Sequence, residues 1–134
     1  MGLDNGICVK RTTYSDFIKK MKRFEDKTCK KYQLDYDICY WRKCWNVRND
    51  ILDIIQTGEN EEYHYELTVR DIKIIITILK SYNSKNWDYG SWSGSIWTWK
   101  EHKKINRRHI RNLKTLVKLM KKHPYLEVYF YDSY

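Results

Sequence analysis

The chain has 134 residues, with 26 Lys+Arg against 17 Asp+Glu and a net charge of +9. Its length predicts one domain, 1–134, with enough buried surface to need no disulfide or metal staple. Aromatics at 16%, including 12 Tyr and 6 Trp, exclude a disordered tail, and one Pro with five Gly excludes collagen-like or Pro-rich chains. No apolar run approaches the roughly 18 residues of a membrane span, and no basic-then-apolar signal segment opens the chain. A soluble, cytoplasmic protein is expected.

In chain order, Asn5–Arg11 (NGICVKR) reads as a short strand. Ser15-Asp16 then caps a helix over Asp16–Phe24, with Phe17, Ile18 and Met21 on its apolar side. Glu25–Lys31 is polar and loop-like, and Tyr32–Tyr36 is extended. Asp37–Gln56 has apolar positions on more than one stripe, which predicts a broadly buried helix with Asp37 at its start and Thr57-Gly58 as its stop. Tyr63–Leu67 alternates like a strand. Thr68 and Asp71 form a TxxD start for a helix over Val69–Ser81, with Ile72, Ile75, Ile76 and Leu79 inward.

Residues Tyr82–Ser95 form a loop of Asn, Ser and Gly in which Trp87, Tyr89 and Trp92 are embedded. Ser95 is the expected cap of a long helix from near Ile96, which His123-Pro124 ends because the residue before Pro resists the α region. Leu126–Tyr131 alternates as a last strand. The expected class is therefore α+β: a small mixed or antiparallel sheet of about three short strands with about four helices packed on it.

Residues 100–122 carry all of the excess charge. They hold ten cations and one acid, Glu101, so the rest of the chain is balanced. Ile105, His109, Leu113, Leu116, Val117 and Met120 recur at helical spacing opposite the basic set. The segment is thus an amphipathic helix with a dry face on the core and a cationic face outward. Concentrated charge of this kind attracts anions, and Lys100, Lys103, Lys104, Arg107, Arg108 and Arg111 are its candidate nucleic-acid or partner contacts. A solvated face that only maintains solubility is the bland alternative.

No GxSxG, HExxH, P-loop or dinucleotide fingerprint is present, and the four cysteines form no CxxC. No catalytic residue, metal site or cofactor is nominated, and the cysteines read as buried reduced thiols. His109 falls on the apolar stripe and reads as a core histidine. His64, in the strand-like YHYE, is a modest candidate for a ligand contact.

The stronger pattern interleaves cations with aromatics. Trp41, Arg42, Lys43, Trp45, Arg48 and Asn49 cluster within one predicted helix, where indoles can stack a base while guanidinium groups hold phosphate. Trp92 and Trp97 extend the aromatic set in the loop before the basic helix, and His64 and Asn49 would add hydrogen bonds. The alternative for each tryptophan is ordinary core packing; loop aromatics fit it least well.

MGLDNGI at the start, YWRKCWNVRNDI and the final LEVYFYDSY resemble small proteins encoded in phage and prophage genomes, which open with MGLD and carry a YWRK helix. The looser relatives often have Asn-x-x-His after YWRK, where this chain reads Trp45-Asn46-Val47-Arg48. The resemblance implies a non-enzymatic accessory protein that counters host defence in the bacterial cytoplasm. The expected ligand is an anionic nucleotide, such as an immune signal held by stacking and Arg/Lys contacts. The alternatives are a nucleic-acid binder, or an inhibitor of an acidic host defence protein, that uses the basic helix. A homo-oligomer is compatible with either, and no membrane partner is expected.

Overall fold

The computed structural model describes residues 3–10, 36–55, 59–61 and 64–133. Five strands, β1 (Asp4–Val9), β2 (Tyr36–Arg42), β3 (Glu59–Glu61), β4 (His64–Glu66) and β5 (Val128–Ser133), form one sheet in the order β2-β1-β5-β4-β3. Every pairing is antiparallel. β1 and β5 lie side by side at the centre, so the two ends of the chain hold the sheet together. Three helices, α1 (Trp45–Ile55), α2 (Val69–Ser81) and α3 (Trp99–Lys122), complete the described residues.

The α+β class is as expected, and the described residues hold five strands where about three were expected. The expected helix at Asp16–Phe24 and the loop that follows it lie outside the described residues. The expected helix over Asp37–Gln56 is corrected. Its first part is β2, which pairs with β1 from Asp4↔Arg42 to Val9↔Tyr36, and only Trp45–Ile55 is helical. Ile38, Cys39 and Trp41 are as much at home on a pleated surface as on a helix, and β1 offers a free edge to pair with. Between strand and helix, Lys43 takes a left-handed backbone conformation (φ 53°), which turns the chain out of the strand.

One sheet face carries Ile7, Val9, Cys39, Trp41, Val128 and Phe130, and the core lies between this face and the three helices. α1 contributes Val47, Ile51 and Ile55 at i, i+4, i+8. α2 contributes the four residues expected from its sequence, and α3 contributes Leu113, Leu116, Val117 and Met120. Both of the longer helices start with a reciprocal capping box. At α2 it is Thr68 with Asp71, as the sequence predicts. At α3 it is Thr98 with Glu101, three residues later than the expected Ser95.

Candidate nucleic-acid interface

β2, α1, α3 and the loop before α3 position nearly all of the sequence-predicted residues, and they divide them into two groups. The first group is enclosed. Trp41 is 1% exposed, its ring edge-on to His109 with centroids 4.9 Å apart. Its indole has no open face for a ligand, so a stacking role for Trp41 is corrected to core packing: β2 places it on the helix side of the sheet, opposite Asn5.

Arg48 is also committed. Its Nε donates to both carboxylate oxygens of Asp132 (2.8 and 3.0 Å), and its Nη2 lies 2.8 Å from Oδ2. Asp132 also accepts from Asn5 Nδ2 at 2.6 Å, Arg48 Nη1 donates to Asn49 Oδ1 at 3.2 Å, and the guanidinium sits over the half-buried Trp45 ring. A guanidinium already forked by a buried carboxylate is not available to phosphate, so the expected phosphate contact at Arg48 is corrected to a structural ion pair. His64 lies on the other sheet face, in register with Tyr131 and with its ring tilted against that of Tyr129 at 4.7 Å, so the structure does not bring it together with Trp41.

The second group is open. Trp92 is fully exposed and Trp97 is 38% exposed, with Tyr89 and Ile96 exposed between and beside them. The loop that carries them is fixed at its base. Trp87 is buried, stacks on His102 at 4.6 Å, and donates its Nε1 to Trp97 O at 2.8 Å. Ser95 is buried and donates its N to Asp88 O, while Gly90 N donates to Ser95 O. Asp88 also accepts from the Ser91 and Ser93 hydroxyls. A Cβ at Gly94 would meet Asp88 O at 2.7 Å, so this turn requires glycine. The loop docks on the end of β2: Trp97 Nε1 donates to Arg42 O at 3.1 Å, and Ile96 N to Lys43 O at 3.3 Å. Exposed Arg42 and half-buried Lys43 are thereby joined to the aromatic loop, as cation and aromatic were expected to be, though by a strand end and not by a helix face.

α3 starts immediately after this loop. All ten cations of residues 100–122 are exposed, including Lys100, Lys103, Lys104, Arg107, Arg108 and Arg111. With 24 residues the helix presents them along about 36 Å. The one acid, Glu101, is bound to the Thr98 N–H and hydroxyl, which holds its carboxyl below the usual range. The ion pairs among the described residues, Lys10–Glu127 and Arg48–Asp132, involve none of the ten.

α2 widens the ridge, a feature that sequence reasoning missed. Its exposed face carries Arg70, Lys73 and Lys80, and its first-turn acid Asp71 is occupied by Thr68. Lys80 lies beside Lys114 and Lys73 beside Lys121, and this neighbouring like charge holds the ammonium groups of Lys114 and Lys121 below the usual lysine range. An open groove lined by Val69, Arg70, Lys73, Ile74 and Thr77 runs along this side. The i, i+3, i+10 spacing of 70, 73 and 80 was a legible signal, overlooked because α2 reads as an apolar helix.

Among the described residues no group of three or more His, Cys, Asp or Glu is placed to hold a metal ion, and no helix is long and apolar enough to cross a membrane. No family model, curated protein or solved structure matches the chain.

Proposed function

We propose that the protein binds nucleic acid through the cationic face of α2 and α3. The observation that carries this reading is the ridge itself: ten exposed cations on α3 with exposed Arg70, Lys73 and Lys80 on α2, none of them in an ion pair among the described residues. Like charges are held together on a face whose two acids, Asp71 and Glu101, are both tied up as helix caps. Mutual repulsion across two helices is a cost that a polyphosphate relieves, and release of condensed counterions adds to binding. Capture of a single nucleotide has less support, because Trp41 and Arg48 are unavailable to it. The resemblance to phage-encoded proteins sets the binding in counter-defence.

The test is a gel-retardation series with DNA and RNA oligonucleotides. Arg107→Glu, Arg111→Glu and Lys118→Glu together replace exposed side chains only, so folding is retained and retardation is expected to vanish. If about six ridge residues hold phosphates, affinity should fall about a thousandfold between roughly 50 and 200 mM salt. Retardation unchanged by the triple reversal overturns the reading. So does a reversal-sensitive complex with an acidic host protein in the absence of any nucleic-acid binding.

A further inference from the structure

We propose that this face takes single-stranded nucleic acid in preference to duplex, with Trp92 and Trp97 stacking unpaired bases while the α3 cations hold the backbone. The inference deepens the nucleic-acid reading and rests on it. Trp92 is wholly exposed in a loop whose base is locked by buried Trp87 and Ser95. Ordered loops rarely hold a large apolar ring in water, and singly exposed ones need no explanation. Here the ring is one of four neighbours in the sequence, Tyr89, Trp92, Ile96 and Trp97, that are all exposed.

The chemistry next to the loop selects the occupant. Trp97 is followed directly by the Thr98 cap and by Lys100, Lys103 and Lys104 on the open face of α3. On the other side its indole N–H holds the carbonyl of exposed Arg42. The loop's own carboxylate, Asp88, is half-buried and accepts from the Ser91 and Ser93 hydroxyls. Exposed indoles in the loop that leads into a helix of exposed ammonium and guanidinium groups match the alternation of bases and phosphates. A duplex conceals its base faces and offers phosphate alone, so it can use the ridge but not the rings. Rigidity matters as well. A loop fixed before binding loses little conformational freedom when a base stacks on it.

The experiment compares an oligo(dT) strand with a hairpin duplex of equal phosphate number, each titrated against the full chain by fluorescence anisotropy. Trp92→Ala touches no other side chain and leaves the fold intact. It is expected to weaken the single strand about tenfold and to leave the hairpin unchanged, and Trp92→Tyr is expected to recover most of the loss. Equal affinity of the original chain for both forms, or an unchanged single-strand affinity in Trp92→Ala, overturns the inference. If the ridge reversal then still abolishes binding, only the stacking falls. Binding to neither form overturns the ridge reading along with it.

Discussion

Arg48 and Asp132 show how a residue that looks made for a ligand is used by the protein itself. The Arg48 side chain is 16% exposed and that of Asp132 is 3% exposed, so the pair sits in a weakly screened setting, where removing one member leaves a charge without compensation. Asp132→Ala is expected to cost about 3–5 kcal/mol in urea denaturation, and Asp132→Leu combined with Arg48→Met to recover much of it. The buried histidines make a second prediction. Burial pushes His102 down to about 4, and burial with the charges of His102 and Arg108 pushes His109 down to about 3. An unfolded histidine titrates near 6.5, so below that pH the unfolded chain binds protons that the folded chain refuses. Their contribution is complete above pH ~6.5 and is lost as pH falls towards ~4 and then ~3, roughly 3 kcal/mol for His102 and roughly 5 kcal/mol for His109. Chemical denaturation at stepped pH should show this slope, and His109→Gln should flatten it. The Cys39 and Cys44 thiols stay protonated for a related reason: burial pushes Cys44 up to about 11 and Cys39 well above the usual thiol range.

At the scale of elements, the two helices of the ridge depend on their caps. Thr98 Oγ1 accepts from Glu101 N at 3.2 Å, and Glu101 Oε1 accepts from Thr98 N at 3.0 Å. Thr98→Ala is expected to cost about 1 kcal/mol by thermal or urea melting. It also frees the Glu101 carboxylate next to Lys100 and Lys104, so nucleic-acid affinity should fall slightly. The Thr68–Asp71 box was legible because TxxD stands directly before an apolar period. Thr98-x-x-Glu101 stands in the sequence just as plainly, but an aromatic run hides where the period begins. β2 shows the opposite case. Its segment has both helical and strand-like periodicity, and the choice depends on pairing with β1, whose partner residues lie some thirty positions away.

At the scale of the whole molecule, the outward charge and the buried charge lie apart. The excess cations face outward from α2 and α3, and the buried ion pair lies at the sheet. The length, the α+β class, the amphipathic character of residues 100–122 and the core stripe of α2 were determined by the sequence alone. They follow from local periodicity, which each helix carries in its own residues. Which tryptophans are open was decided only by the tertiary structure. An indole satisfies a core and a binding surface equally well, and Trp41 and Trp92 differ only in whether a sheet register or a serine-bound turn holds them. The joining of α2 lysines to the α3 ridge was decided the same way, because two helices far apart in the sequence share a charged face only after the core beneath them has packed.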